Sequence, residues 1–229
     1  MPVSTYTLLV TGGVMLLDWY ATARKMFRLR VITKPLALLL LIAWFVVRTG
    51  PFNSGLLFTG AALVFSLLGD ILLLRKVEEV SPRFFQAGLA AFLVAQVCYV
   101  AAFNLPAPQP TPAGLLALLF VAVVAVFFGR QLLCGLRRNA PCENPLPLVV
   151  YMLAISLMLA SGLATLFRSD WPFSVAAMAA AGSALFFLSD SILAYKRFVH
   201  PVRMGEPLVM VTYHLAQIAL TAALLIRFG

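Results

Sequence analysis

Charge is what this 229-residue chain has least of: 11% of its residues are Asp, Glu, Lys or Arg, against about 25% in soluble domains. With 62% apolar residues and a mean hydropathy of +0.99, a soluble globular domain is excluded. Histidine and cysteine are also scarce, at two and three residues. Two imidazoles, one of them (His200) expected in a loop, cannot assemble a zinc hydrolase built on several histidines. Cys98, Cys134 and Cys142 stand in no CxxC or zinc-like spacing and read as small apolar residues. A P-loop, a GxGxxG turn and a nucleophile elbow are all missing. No cofactor and no metal is expected.

What is present is a series of apolar runs. At about 20 residues per span, the length divides into helices with nothing left for an extramembrane domain. The spacing predicts an all-α integral membrane protein, a single polytopic domain over residues 1–229. Its eight transmembrane helices are expected near 5–23, 35–47, 53–74, 84–103, 112–133, 147–167, 172–195 and 207–227. Pro35, Pro112, Pro147, Pro172 and Pro207 stand at the openings of runs, where a missing N–H costs nothing. On this reading the second helix is short. Ala21-Thr22-Ala23 mimics a signal-peptidase site, but the basic residues follow it rather than precede it, so no cleaved signal is expected.

The net charge of +9 and the pI near 10.0 are read as topology, and nucleic acid is not an expected partner. Fourteen of the 17 Lys and Arg residues fall in the odd-numbered loops, leaving Arg48, Arg168 and Arg227 for the even loops and termini. The positive-inside rule then puts the odd loops in the cytoplasm and both termini outside. Pro106 to Pro112 (PAPQPTP) reads as a polyproline-like connection in an outer loop.

Three aspartates interrupt the apolar runs: Asp18, Asp70 and Asp190. A carboxylate there costs at least about 2.5–3.5 kcal/mol on insertion scales, so each needs a compensating partner or a function. Asp70 and Asp190 lie five and six residues before the basic loops, about 7–9 Å beneath the same face. Asp18 is close enough to the first basic loop to pair there. Small and polar residues share their sector: Ser66 and Gly69 near Asp70, Ser183, Ser189 and Ser191 near Asp190. Glu206, Met210, Tyr213 and Gln217 form a stripe on the eighth helix with His214 beside it, and Gln96 and Tyr99 pair on the fourth. Leu67-Leu68-Gly69-Asp70 and Phe187-Leu188-Ser189-Asp190 are each followed one helix later by Ala-Gln (95–96 and 216–217). A four-helix separation makes the halves parallel repeats.

In this order the motifs Thr33-Lys34-Pro35-Leu36, Ser66-Leu67-Leu68-Gly69-Asp70, GSALFFLSDSILAY (182–195) and Tyr213-His214-Leu215-Ala216-Gln217, with Tyr151 and Met158, resemble the YhhN family, the lysoplasmalogenases. The resemblance implies hydrolysis of the vinyl ether of a lysoplasmalogen to a fatty aldehyde and glycerophosphoethanolamine or glycerophosphocholine, in a bacterial inner membrane. One departure is Gln96, where the family usually carries histidine. Vinyl ether hydrolysis needs an acid and a base, which two carboxylates can divide as in glycoside hydrolysis. The candidate catalytic residues are therefore Asp70 and Asp190, with neither role assigned. Lys34, Tyr99, Tyr213, Gln217, His214 and Asp18 are the candidate substrate-binding residues, with Lys34 at the cytoplasmic mouth offering a point charge to the headgroup phosphate. Lysophospholipid and bilayer lipid are the expected partners. Two rival readings use the same residues: a proton-coupled small-molecule or lipid transporter, and a structural subunit. Against transport, no Gly/Pro break interrupts the third or seventh helix.

Overall fold

A computed structural model describes residues 3–74, 82–140 and 144–229. Among these the chain forms eight α-helices and no strand: α1 (Val3–Ala23), α2 (Phe27–Arg48), α3 (Ser54–Leu72), α4 (Pro82–Phe103), α5 (Pro112–Asn139), α6 (Leu146–Ala164), α7 (Phe173–Phe198) and α8 (Gly205–Phe228), with a 3-10 turn, Thr165–Phe167, extending α6. Cys142, Arg75 and Lys76 lie outside the described residues. Seven helices are long and apolar enough to cross a membrane. The eighth, α1, has the length, at 21 residues, but Asp18 and its threonines dilute its hydropathy. The protein is a multi-pass integral membrane protein, and the apolar residues that α5 exposes (Leu116, Phe120, Val123, Phe127) would be a large unprotected patch in water.

Local chemistry sets most helix ends where the sequence places them. Asn53 caps α3 by accepting from the Leu56 N–H at 3.0 Å, and its amide donates to the Phe228 carbonyl at 2.7 Å, which ties the start of α3 to the end of α8. Thr111 caps α5 in the same way on Gly114, with Pro112 in the first turn.

Two boundaries differ from the sequence reading. The second helix is not short: it begins at Phe27, and Pro35 is its ninth residue rather than its opening. Its 22 residues rise about 33 Å, a full span. The connection before it shrinks to Arg24, Lys25 and Met26, because Lys25 takes a left-handed backbone (φ 57°) and closes α1 with bonds from Met26 N–H to Ala21 O and from Lys25 N–H to Thr22 O. No glycine marks that stop. Arg28, Arg30 and Lys34, read as loop residues, are therefore helical, and the inward face of α2 carries Thr33, Lys34, Ala37, Leu38, Leu41, Trp44 and Phe45. The fifth helix runs six residues past its expected end, since Leu132, Gly135 and Leu136 pack on the end of α7 and the Asn139 amide donates to the Phe198 carbonyl at 2.9 Å.

Consecutive helices other than α4 and α5 pack on one another, most closely α1 with α2, α3 with α4 and α7 with α8. The last helix is the central one, touching α1, α2, α3 and α7. Where α6 crosses α7, Gly162 faces Ser183, and a Cβ there would lie 2.1 Å from the serine Oγ and 3.3 Å from the Ala179 carbonyl. Small residues are what let these backbones approach. Away from the aspartates, Arg168 pins the connection between α4 and α5, donating to the carbonyls of Phe103 (2.9 Å) and Pro106 (2.8 Å), while Asp170 binds both Arg168 and Arg227 at 2.8 Å.

Two outcomes follow from this packing. Gly162→Ala overfills the crossing and costs about 1–3 kcal/mol in an unfolding titration in detergent. The Arg168 hydrogen bonds hold the Asp170 carboxyl below its ordinary value of 3.8, so its contribution is present at neutral pH and is lost as pH falls through that lowered value. Asp170→Asn therefore lowers Tm by a few degrees at most at pH 7, and the difference from wild type disappears in acid.

Candidate active site

The three aspartates that interrupt the apolar runs meet three different solutions. Asp70, in the last turn of α3 and 1% exposed, receives the Lys34 ammonium on Oδ1 at 3.0 Å and the Tyr213 hydroxyl on Oδ2 at 2.9 Å. The pair joins α2, α3 and α8. Asp18, fully buried in α1, accepts the Thr33 hydroxyl on Oδ1 at 2.7 Å, and its Oδ2 has no protein donor. It does not pair with a basic loop, because that loop has become helix. Asp190, on α7, has no cation within 4 Å among the described residues. The Tyr151 hydroxyl from α6 and the Gln96 amide from α4 (3.2 Å) both donate to its Oδ2. Among the described residues both donors reach Oδ2 and none reaches Oδ1.

Aromatic packing fixes these groups. Phe92 and Phe186 stand edge-on to the Tyr213 ring at 5.8 and 5.6 Å, so the phenol has one direction in which to point. Phe92 lies on Gly69, where a Cβ would come within 2.6 Å of the ring; this explains the small residue beside Asp70. Ser189, next to Asp190, donates to the Val209 carbonyl at 3.1 Å and holds α7 to α8.

Asp70 and Asp190 line one cavity of about 50 Å³, together with Arg30, Lys34, Phe92 and Tyr213. That volume suits reacting atoms and a water or two, not a lipid. Asp190 also borders an apolar cleft of about 30 Å³ formed by Phe128 and Leu132 of α5, Tyr151 and Met152 of α6, and Phe187 of α7. On the other side Arg30, Lys196 and Glu206 separate the cavity from a wider vestibule. A polar center between a charged opening and an apolar one fits a molecule with a head and a tail.

Of the residues singled out from sequence, Asp70, Asp190, Lys34 and Tyr213 come together at the cavity. Lys34 is not at the mouth: its side chain is 7% exposed and committed to Asp70. Tyr99 and Gln217 stand a layer deeper, hydrogen-bonded to each other at 2.6 Å. His214 is fully buried and its Nδ1 accepts from the Trp19 indole at 2.9 Å, which fixes the neutral Nε2–H tautomer against a stacked ring. Asp18 and His214 do not line the cavity. Sequence reasoning did not place Tyr151 or Gln96 on Asp190, nor Arg30 and Lys196 at the mouth. Among the described residues no three of His, Cys, Asp or Glu gather as metal ligands.

A model of the YhhN family matches residues 29–224, which takes in every one of these groups except Asp18 and Trp19. The chain belongs to the YhhN family. Its relatives include the lysoplasmalogenase TMEM86B of Sus scrofa, 34% identical over 160 residues, and that of Homo sapiens, 32% identical over 209. The matches span 70% and 91% of this chain but 60% and 77% of those proteins. The Rattus norvegicus protein of the same name is 32% identical over 84% of this chain and 70% of its own. No solved structure matches. In this YhhN protein Lys34 belongs to Asp70 structurally, and removing one charge strands the other. Lys34→Met is expected to cost about 3–5 kcal/mol in an unfolding titration, and Lys34→Met with Asp70→Leu to recover most of it. Additive losses would show that the two charges do not interact.

Proposed function

We propose that this YhhN protein is a lysoplasmalogenase, hydrolysing the vinyl ether of a 1-alkenyl lysophospholipid by carboxylate acid/base catalysis. The observation that carries the reading is the pairing of Asp70 and Asp190 on one cavity, one with an ammonium partner and one with neutral donors only. Asp190 Oδ1 faces no donor among the described residues and is the oxygen from which a proton passes to the vinyl carbon distal to the ether oxygen. The oxocarbenium ion that results is captured by water, whose proton goes to a carboxylate, and the hemiacetal collapses to fatty aldehyde and glycerophospho-alcohol. One water is consumed. Asp70, held as an anion by Lys34, faces the cation that develops. Gln96 occupies the place of the family's usual histidine and reaches Asp190 as a hydrogen-bond donor that exchanges no proton at neutral pH.

The rest of the reading concerns placement. We read α1 as an eighth span, on its length and its packing against α2 and α8, and residues 1–229 as one polytopic domain. The basic helix ends near the cavity face the cytoplasm, both termini lie outside, and the reaction takes place in the cytoplasmic leaflet of a bacterial inner membrane. The two halves are parallel repeats braced crosswise: α4 reaches α7 through Gln96 and Asp190, and α8 reaches α3 through Tyr213 and Asp70.

The test is aldehyde release by the purified protein from a lysoplasmalogen, beside an ester-linked lysophospholipid. Asp190→Asn is expected to lower kcat by about 10²–10⁴ without loss of folded protein, and Asp70→Asn to lower it as far per folded molecule while also losing stability, because it strands the Lys34 ammonium. A variant that keeps full activity removes that residue from the mechanism, and a folded wild type that releases no aldehyde removes the reaction.

A further inference from the structure

The catalytic reading leaves the vestibule without a role. It has a volume of about 540 Å³, and its lining includes Lys25, Arg30, Lys196 and Arg203 with one carboxylate, Glu206. Glu206, in the first turn of α8, bridges Arg30 of α2 at 3.0 Å and Lys196 of α7 at 3.7 Å. The same three residues line the inner cavity, so they form the partition between it and the vestibule.

The partition is held in place by its surroundings. The Arg30 and Lys196 side chains are 13% and 8% exposed, and Arg30 Nε is buried with no protein acceptor. A left-handed Met204 (φ 58°) turns the chain into α8, and Gly205 lies on the lysine stem, where a Cβ would fall 2.5 Å from Lys196 Cδ. Among the described residues Lys25 and Arg203 have no carboxylate within 4.0 Å. Lys34, committed to Asp70, cannot serve as the phosphate ligand.

Resting on the lysophospholipid reading, we propose that Arg30, Lys196 and Glu206 form a subsite that reads a zwitterionic headgroup, a phosphodiester joined to an ammonium. The phosphodiester takes the place of Glu206 between Arg30 and Lys196, and the freed carboxylate receives the ammonium. Every charge stays paired through the exchange, because the incoming group brings one of each sign. A phosphate without an ammonium sets its oxygens against Glu206, and a headgroup without phosphate has nothing to offer the two cations. The selectivity thus comes from a repulsive element as well as an attractive one. Glu206 is a specificity-determining residue on this account, and Tyr213, seven residues on along α8, holds the catalytic Asp70 below it.

The experiment measures binding of non-hydrolysable 1-alkyl ether lipids of one chain length to the full-length protein in nanodiscs. The three lipids carry phosphocholine, a phosphate monoester or a bare glycerol, and inorganic phosphate and glycerophosphocholine serve as soluble competitors. The wild type is expected to prefer the phosphocholine lipid over the monoester by about tenfold or more. Glu206→Gln removes that preference by weakening the phosphocholine lipid and strengthening the monoester, and Glu206→Asp restores it. Lys196→Gln weakens both phosphate lipids and leaves the alkylglycerol unchanged. The proposal is overturned if Glu206→Gln weakens all three lipids alike, which is a packing role, or if the preference survives it. It is equally overturned if inorganic phosphate competes as well as glycerophosphocholine, which is a bare anion site. Since binding is read without turnover, headgroup preference in a protein that releases no aldehyde sinks the hydrolase reading alone, and aldehyde release without preference sinks the subsite alone.

Discussion

The architecture turns on one buried ion pair, Lys34 with Asp70. Two charges removed from water into a helical bundle carry a desolvation penalty of several kcal/mol each, which mutual attraction offsets only at close range and with further hydrogen bonds. The structure supplies both, at 3.0 Å and through the Tyr213 hydroxyl. For Lys34 to arrive there, α2 must continue through Pro35 and start eight residues before the proline. Proline inside a helix removes one donor, here to the Val31 carbonyl. That loss, about 3 kcal/mol, is comparable to the roughly 3–5 kcal/mol lost when one partner of a buried ion pair is left alone, and the helix that carries Pro35 is the one that brings Lys34 to Asp70.

Once α2 is placed, the neighbouring chemistry follows. Thr33, adjacent to Lys34, reaches Asp18, and Arg30, one turn earlier on the same face, reaches Glu206. A single helical stripe thus serves three carboxylates at three depths: Asp18, Asp70 and the mouth. The aromatic cluster of Phe92, Phe186 and Tyr213 closes the apolar side of this stripe and separates it from the Tyr99 and Gln217 pair behind.

Much of this was legible in the sequence, and the exceptions have physical causes. Long apolar runs bounded by Asn, Thr and Pro gave six of the eight helices their ends to within three residues, because caps act through local geometry. The short turn at Lys25 was hidden because a lysine fills the left-handed position that glycine usually marks. Pro35 misled for the converse reason: it is a start signal locally and is overridden by a contact 36 residues away. Asp70 and Asp190 stood out because a carboxylate in an apolar run is costly whatever surrounds it. Their partners did not stand out, since a tyrosine such as Tyr151 or a glutamine such as Gln96 is unremarkable in a membrane helix until the fold sets it against Asp190.

The unequal treatment of the two aspartates suits the reaction we propose, which passes through a cation. A low-dielectric site penalises any step that changes its net charge, since the cost of an unpaired charge rises as screening falls. In the proposed mechanism Asp70 with Lys34 is neutral as a pair, and Asp190, as the proton donor, is neutral alone. In the proposed step the proton leaves Oδ1 for carbon, and one anion and one oxocarbenium ion appear together beside the donors already fixed on Oδ2. The net charge of the site is the same before and after, and Tyr151 and Gln96 need not move to receive the new anion. Two aspartates each paired with a lysine would have had no proton to give, and two without a cation would have lacked the standing negative charge that meets the oxocarbenium ion. One of each is the arrangement that the proposed chemistry requires.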